Sequence, residues 1–264
     1  MKRIPLIASL ILISILTLKA QNNNSSEKWK PIFDKYKVNG TFVLYNTSSG
    51  EYQTYNKARS DSAFLPASTF KIINSLVALQ TSTVSSINDT IKWDGIDRGW
   101  PKWNQDQTMK TALPYSCVWF YQELARRIGE KSMQKWIDSV GYGNTKMGTR
   151  IDNFWLIGDL RISAMEQVKF LERLVNGELP FDKKVQETVK KIMITDSTDN
   201  YVLHSKTGWV GGKANPQIGW FVGYVETSKG VWIFALNIDI HANSDAEYRK
   251  LISYEILKKE GIIN

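Results

Sequence analysis

The chain has 264 residues and a formal net charge of +8, and 42% of its residues are hydrophobic, 12% aromatic and 23% charged. Those fractions are typical of a globular protein and exclude a disordered, collagen-like or multi-span membrane chain. A single cysteine, Cys117, excludes an intramolecular disulfide and a cysteine-based zinc site, and two histidines argue against a histidine-rich metal site. We therefore expect no metal. The lysines and arginines are interspersed with acids, so we expect no nucleic-acid partner either.

The first twenty residues combine a basic start with an apolar run. Lys2 and Arg3 precede the run from Ile4 to Leu18, and a polar stretch follows residue 20. That order is typical of a secretory signal peptide, and the run is short for a membrane span, with an uncleaved N-terminal anchor as the alternative. We therefore expect residues 1–20 to be a signal peptide and the mature chain to have no stable membrane insertion.

Strand signals lie at the two ends of the chain. Thr41–Tyr45 is rich in β-branched and aromatic residues, and Glu51–Tyr55 follows a turn and can pair with it as a hairpin. Three further strands are predicted at Tyr201–Lys206, Ile218–Glu226 and Val231–Ile240. Because two strands alone are only marginally stable, we expect the hairpin and this trio to form one antiparallel sheet of about five strands.

The middle of the chain, about residues 67–195, is predicted to be mainly helical. Gln122–Arg127 and Ala164–Leu174 show helical spacing of apolar residues, and sustained strand-like alternation is absent. Asp245–Lys259 is predicted to be a closing helix, with acids near its start and lysines in its last turn. The predicted fold class is therefore α+β, an antiparallel sheet flanked by helices plus an inserted helical lobe. We expect residues 21–264 to form a single catalytic domain with a cleft between its lobes.

A Ser-x-x-Lys motif joins Ser68 to Lys71 at the start of an apolar-periodic stretch, so both side chains share one helix face. A serine hydroxyl needs a neighbouring base to become a nucleophile, and a lysine whose pKa is lowered by burial can be that base. The same spacing occurs at Ser25–Lys28 and Ser132–Lys135, so the spacing alone is more often a surface feature. Apolar neighbours distinguish the motif at Ser68.

Two further short motifs follow along the chain. On its own, Ser116-Cys-Val118 is interpreted as a cap before a helix over Trp119–Ile128, with a proton-relaying hydroxyl as the functional alternative. Lys206-Thr-Gly208 ends a predicted strand, where a charge and a hydroxyl can bind an anion and glycine permits close approach. Each motif is weak singly, but the order Ser-x-x-Lys, Ser-x-Val, Lys-Thr-Gly is much more specific.

In this order the motifs resemble those of the class D, or oxacillinase-type, serine β-lactamases. Tyr142-Gly-Asn144 and Trp155-Leu156-x-Gly158 resemble two more motifs of that family, and the resemblance extends from about Gly40 to the C-terminus. It implies the fold of serine β-lactamases and penicillin-binding transpeptidases and the hydrolysis of β-lactam antibiotics through a serine acyl-enzyme. It also implies a small-molecule β-lactam as partner, secretion to the bacterial periplasm, and a monomer or homodimer.

The resemblance implies a role for each motif residue. Ser68 is the nucleophile, and Lys71 carries a carbamate formed from carbon dioxide or bicarbonate, which makes it the general base with no other cofactor. Ser116 passes a proton to the departing nitrogen with electrostatic support from Lys206, and Trp155 donates its indole N–H to the carbamate. The backbone N–H groups of Ser68 and Trp209 form the oxyanion hole. The implied substrate-binding residues are Val118, Leu156, Thr207, Gly208, Trp209 and Arg249.

Other functions are compatible with the residues alone. A penicillin-binding sensor of the same fold has several membrane spans, and a cell-wall transpeptidase or carboxypeptidase is usually longer than this chain. A Ser-His-Asp hydrolase is a further alternative, because His204 lies close to Lys206 in sequence, but the chain has no Gly-x-Ser-x-Gly motif. The last alternative is a structural or interaction protein, because ten tryptophans suit a large core as well as a binding surface.

Overall fold

The computed structural model describes residues 24–25, 27–212 and 216–264, so the expected signal peptide over residues 1–20 lies outside the described residues. The α-helices are α1 (Lys30–Tyr36), α2 (Lys57–Asp61), α3 (Lys71–Gln80), α4 (Met109–Ala112), α5 (Val118–Ile128), α6 (Glu130–Val140), α7 (Ala164–Val175), α8 (Lys183–Ile192) and α9 (Tyr248–Lys259). The strands are β1 (Asn24–Ser25), β2 (Gly40–Asn46), β3 (Glu51–Tyr55), β4 (Ala63–Phe64), β5 (Ile162–Ser163), β6 (Ile194–Ser197), β7 (Tyr201–Val210), β8 (Gln217–Thr227) and β9 (Gly230–Ile240). Short 3-10 turns cover Glu27–Trp29, Ala67–Phe70, Pro101–Trp103 and Asn243–Glu247.

The main sheet is built from both ends of the chain, in the strand order β1-β3-β2-β9-β8-β7-β6. Neighbouring strands are antiparallel except for β1, which lies parallel to β3. The N-terminal hairpin joins the C-terminal strands through β2 and β9, where Gly40 lies opposite Ile238. The predicted α+β class, with one mostly antiparallel sheet flanked by helices, is therefore confirmed.

The sheet has two strands more than the five or so that were expected. All five predicted strands are present, and β7 continues past its predicted end at Lys206 to Val210. The additional strands are β6, which is four residues long and mostly exposed, and β1, which is two residues long. Neither is long enough or apolar enough to produce a period-two pattern, so the sequence carries no strand signal for them.

Each face of the sheet carries its own apolar core. On one face, Phe42 and Leu236 are buried beneath α1 and α9. On the other face, Val43 and Ala235 pack against α7 and the helices of the middle segment. Because the central strands are covered on both sides, they are continuously apolar rather than alternating.

The middle of the chain has helices as its main regular elements, as predicted. The short β4–β5 pair, whose first strand precedes the segment, and an isolated antiparallel bridge between Ile91 and Gln107 are the strand pairings found there ahead of β6 in the described residues. Helix α3 is buried from Lys71 to Ala78 and packs against α5 and α8. The 3-10 turn over Ala67–Phe70 leads directly into α3 and packs against β7. The centre of the helical segment and the outer part of the sheet therefore meet at Ser68. None of the helices in the described ranges has the length and apolar character needed to span a membrane.

Candidate active site

Ser68 and Lys71 lie side by side at the start of α3. The 3-10 turn carries the serine and the helix begins at the lysine, so the two side chains fall on one face, as the spacing predicts. The Lys71 Nζ donates a hydrogen bond to the Ser68 Oγ at 2.8 Å. Ser68 is 8% exposed and Lys71 is completely buried. The motif at Ser68 is therefore an interior pair rather than a surface feature.

The surroundings of Lys71 are poor in charge. The Nζ lies 5.4 Å from the centre of the Tyr121 ring, and no carboxylate pairs with it in the described residues. Burial lowers the pKa of Lys71 from 10.5 to about 7, and the nearby Cys117 acts in the opposite direction. Near neutral pH a large fraction of Lys71 is therefore an uncharged amine, whose lone pair can take a proton or react with an electrophile.

Trp155 packs behind this pair and has an unused donor. Its ring stacks on Phe70, with centroids 5.4 Å apart and an interplanar angle of 15°. Its carbonyl accepts a hydrogen bond from the Ala67 N–H at 2.9 Å. The indole Nε1 is buried and has no hydrogen-bond partner among the described residues. Because an unpaired buried donor costs about 1–3 kcal/mol, this N–H marks a place where an acceptor group fits.

Ser116 lies in the turn between α4 and α5, in the left-handed backbone region at φ 52°. The Ser116 N–H donates to the Leu113 carbonyl at 3.1 Å, and this bond closes the end of α4. Strained backbone of this kind costs about 1–3 kcal/mol and is concentrated at functional sites. Helix α5 begins at Val118 without a side-chain cap, so the interpretation of Ser116 as a helix cap is wrong. Its hydroxyl instead accepts a short hydrogen bond from the Lys206 Nζ.

Lys206 reaches Ser116 from β7 and is 4% exposed. Its Nζ also donates to the Thr207 carbonyl at 2.9 Å. Burial, followed by the nearby charges of Lys71, Arg249 and Lys250, lowers the pKa of Lys206 well below its ordinary value. Several basic side chains thus converge on one place, and those that carry a proton there favour the binding of an anion.

The end of β7 and the start of α9 bring together the remaining polar residues that were predicted. The Arg249 Nη1 donates to the Gly208 carbonyl at 2.6 Å, and its guanidinium lies 5.7 Å from the centre of the Trp209 ring. Burial lowers the pKa of Arg249 to about 10, so the side chain stays charged at neutral pH. No carboxylate pairs with Arg249 in the described part of the chain. The half-buried Thr207 directly precedes Gly208 on β7.

Val118 and Leu156, the two apolar residues predicted to bind substrate, lie close in sequence to Ser116 and Trp155. Val118 is the half-buried first residue of α5, two residues after Ser116. Leu156 is half-buried, directly follows Trp155 and packs against the main core. The described side chains include no group of three or more histidine, cysteine, aspartate or glutamate residues that is arranged to hold a metal ion.

His204 is on β7 but is engaged elsewhere. Its Nδ1 lies 2.8 Å from the Lys190 carbonyl, and its ring stacks on Tyr224 with centroids 4.3 Å apart. Among the described contacts, none joins His204 to Ser68. The alternative of a Ser-His-Asp hydrolase therefore has no geometric support.

Tyr121, Ser75 and Gln167 belong to the site but to no motif that the sequence singles out. Tyr121 lies beside Lys71, and its hydroxyl is 2.9 Å from the Ser75 Oγ. The Gln167 Nε2 donates to the Thr69 Oγ1 at 2.8 Å. Tyr121 and Gln167 lie on the buried faces of α5 and α7. A polar group on the apolar stripe of a helix is the signal that would have found them.

Comparison with known proteins identifies the family. A model of the penicillin-binding protein transpeptidase domain matches residues 30–258. Beta-lactamase OXA-5 of Pseudomonas aeruginosa is 41% identical over 261 residues, which cover 97% of this chain and 98% of that protein. The crystal structure of FUS-1 (OXA-85), a class D β-lactamase from Fusobacterium nucleatum, has a TM-score of 0.89 and 39% identity and covers 91% of this chain and 100% of that one. The regulatory protein BlaR1 of Bacillus licheniformis is 34% identical over 95% of this chain and 42% of its own length. The resemblance seen in the motifs is thus confirmed, and the chain belongs to the class D serine β-lactamases, which share the fold of the penicillin-binding transpeptidases.

Proposed function

We propose that this protein hydrolyses β-lactam antibiotics through an acyl-enzyme on Ser68. The observation that carries the proposal is the Ser68 hydroxyl 2.8 Å from a fully buried lysine amine whose pKa is lowered to about 7. A hydroxyl becomes an effective nucleophile when such a base adjoins it. The proposal is supported by the relatives, which are β-lactamases by name and are about 40% identical over nearly the whole chain.

Lys71 is further proposed to carry a carbamate formed from carbon dioxide or bicarbonate. Only an uncharged amine captures carbon dioxide, and the desolvated Lys71 supplies one near neutral pH. A carbamate provides an anionic oxygen that accepts protons more strongly than a hydroxyl does. The residues present fit this group, because Trp155 has a buried indole N–H without a partner among the described residues and stacks on Phe70, the neighbour of Lys71. The proposal includes no metal and no other cofactor.

In the proposed acylation, Ser68 Oγ gives up its proton on the side of Lys71 and attacks the lactam carbonyl. The backbone N–H groups of Ser68 and Trp209 stabilise the charge that develops on the carbonyl oxygen. The C–N bond of the ring then breaks, and the departing nitrogen takes a proton from the Ser116 hydroxyl. Lys206 holds that hydroxyl by a hydrogen bond from its Nζ. The proton that Ser68 gave up on the side of Lys71 replaces the one that Ser116 releases, so acylation neither gains nor loses a proton overall. Water subsequently cleaves the ester and restores Ser68.

The substrate carboxylate is proposed to bind at Thr207 and Arg249. Arg249 keeps its charge at neutral pH, and a guanidinium recognises carboxylates by directional, charge-assisted hydrogen bonds. Gly208 follows Thr207 on β7, and its carbonyl accepts a hydrogen bond from Arg249. A Cβ added to Gly208 would lie 3.0 Å from the Pro66 carbonyl oxygen. The strand therefore lies close to the turn that carries the serine. Val118 and Leu156 are proposed to contact the apolar parts of the substrate.

The remaining proposals concern the chain as a whole. Residues 1–20 are proposed to be a signal peptide and residues 21–264 a single catalytic domain, on the strength of the basic, apolar and polar order at the N-terminus. The mature protein is proposed to act in the bacterial periplasm as a monomer or homodimer. Its partner is a small-molecule β-lactam, without nucleic acid and without stable membrane insertion.

A second candidate function is penicillin sensing or cell-wall transpeptidation, in which the acyl-enzyme on Ser68 persists. The observation that favours it is the similarity to BlaR1 together with the match to the transpeptidase domain. The two candidates share the first chemical step and differ in the second. A labelled penicillin therefore separates them by the lifetime of the label.

The experiment incubates the protein with labelled penicillin in bicarbonate buffer and follows bound label and hydrolysed product. We expect continuous turnover and no label that persists for minutes, whereas Ser68→Ala should neither bind label nor turn over. Ser132→Ala is the matched control, because Ser132 and Lys135 have the same spacing on α6 and Lys135 is exposed. Persistent label without turnover would favour the second candidate, and turnover by Ser68→Ala would contradict the role of Ser68.

A further inference from the structure

We infer that Gln167 is a positioning residue that holds Ser68 in its reactive orientation by acting through Thr69. The inference rests on the proposed role of Ser68 as nucleophile. Gln167 is fully buried on α7, and its Nε2 donates to the Thr69 Oγ1 at 2.8 Å. Thr69 is the chain neighbour of Ser68, and no hydrogen bond within the described residues joins Gln167 to the serine itself.

The turn that carries Ser68 is strained and has to be held in place. Ala67 has φ 49°, in the left-handed region that a residue with a Cβ adopts rarely. Such a residue costs about 1–3 kcal/mol and persists only where its surroundings enforce it. The strained residue itself is held by its N–H, which donates to the Trp155 carbonyl at 2.9 Å. Two further hydrogen bonds span Ala67, because Thr69 donates to the Pro66 carbonyl from its N–H at 3.2 Å and from its hydroxyl at 2.7 Å.

Gln167 decides which way the Thr69 hydroxyl points its proton. A threonine hydroxyl has one proton and two lone pairs, whereas an amide nitrogen only donates. Because Thr69 Oγ1 accepts from Gln167, its single proton is directed to the Pro66 carbonyl. Without the amide, the hydroxyl can rotate away from Pro66 and the turn loses one of the bonds that hold its strain.

The same turn sets the spacing between Ser68 and β7. A Cβ built on Gly208 would lie 3.0 Å from the Pro66 carbonyl oxygen and 3.2 Å from the Thr69 Cγ2. Pro66 and Thr69 therefore pack directly on the strand that carries Trp209. A shift of the turn changes the separation of the Ser68 and Trp209 N–H groups, which are proposed to stabilise the developing charge. It leaves the proposed carboxylate site at Arg249 in place, so acylation slows while substrate binding does not change.

The test compares Gln167→Met with a matched control, Gln186→Met on α8. Gln186 is also buried, its Nε2 donates to the Leu179 and Phe181 carbonyls at 3.1 and 2.8 Å, and its Oε1, like that of Gln167, has no partner among the described residues. The acylation rate constant and the dissociation constant of the non-covalent complex are both obtained from the concentration dependence of stopped-flow acylation by a chromogenic cephalosporin, and Tm is measured for both variants. Both variants should lose Tm, but only Gln167→Met should acylate more slowly, by about 10–100-fold, with that dissociation constant within about twofold of wild type.

Variants of Thr69 test the same inference without changing Gln167. Thr69→Ser keeps the hydroxyl and should acylate within about threefold of wild type, whereas Thr69→Val should be as slow as Gln167→Met. The double variant Gln167→Met/Thr69→Val should be no slower than Thr69→Val, because both changes break one pathway. Equal acylation rates in Gln167→Met and Gln186→Met would overturn the inference. Should Gln167→Met fail to fold, equal rates in Thr69→Val and Thr69→Ser would overturn it. Acylation of Ser68→Ala would instead contradict the proposed nucleophile.

Discussion

Replacing Lys71 by methionine is expected to abolish hydrolysis and, at the same time, to stabilise the protein near neutral pH. Methionine is an unbranched, uncharged side chain that fits the apolar site without a desolvation cost. Burial lowers the pKa of Lys71 from 10.5 to about 7, which at about 1.4 kcal/mol per pKa unit corresponds to at most about 5 kcal/mol. Loss of the hydrogen bond to Ser68 offsets about 1 kcal/mol of this. The expected net gain in the free energy of unfolding is therefore about 3–4 kcal/mol at pH 7.

The gain has a pH dependence of defined sign. Between the folded-state pKa of Lys71 near 7 and the ordinary value of 10.5, the unfolded chain binds a proton that the folded protein does not. Through this group, the stability of the wild type rises with pH in that interval, whereas Lys71→Met has no such contribution. The advantage of the variant should thus be largest at and below pH 7 and should shrink by about 1.4 kcal/mol per pH unit above it.

Urea unfolding in carbonate-free buffer, from about pH 6.5 to about pH 9, measures both effects. The matched control is Lys135→Met, which changes an exposed lysine of another Ser-x-x-Lys segment. Its stability should differ from that of the wild type by less than about 0.5 kcal/mol at every pH. The reasoning is refuted if Lys71→Met is no more stable than the wild type near pH 7, or if the difference stays constant as the pH rises.

Three further changes test individual residues. Trp155→Phe should turn over slowly at low bicarbonate and recover at high bicarbonate, because it loses the indole donor; equal rates to wild type at low bicarbonate would contradict this role. Arg249→Gln should raise KM for benzylpenicillin about 10–100-fold with a smaller change in kcat, since a charge-assisted bond is worth about 1.5–3 kcal/mol. An unchanged KM would place the carboxylate elsewhere. His204→Gln should retain activity within about threefold in a steady-state assay, because the ring bonds to Lys190 and not to Ser68; inactivity would revive the histidine mechanism.

The parts of the fold that could be predicted are those whose signal is local. Val231–Ile240 and Ile218–Glu226 are long runs of β-branched and aromatic residues, and both are strands of nearly the predicted length. The lysine pair at the end of Asp245–Lys259 likewise marks the end of α9. β6 was missed because its four residues are mostly exposed and owe their conformation to pairing with β7.

The site was only partly predictable for the same reason. Ser68 and Lys71 are three residues apart, so helical geometry alone brings them together. The partner of Ser116 is Lys206, 90 residues away, and nothing local shows that the serine adopts a left-handed conformation and is not a cap. Gln167 is 98 residues from Thr69, so a polar residue on an apolar helix face was visible but its partner was not.

The central claim is that Lys71 is uncharged near neutral pH and captures carbon dioxide, and carbon-13 NMR tests it most directly. The protein is equilibrated with carbon-13-labelled bicarbonate, and the carbamate region of the spectrum is recorded as a function of pH. We predict a carbamate resonance in the wild type above about pH 7 that weakens as the amine is protonated below it, and no resonance in Lys71→Met. A wild-type enzyme that hydrolyses penicillin steadily while showing no such resonance would contradict the account.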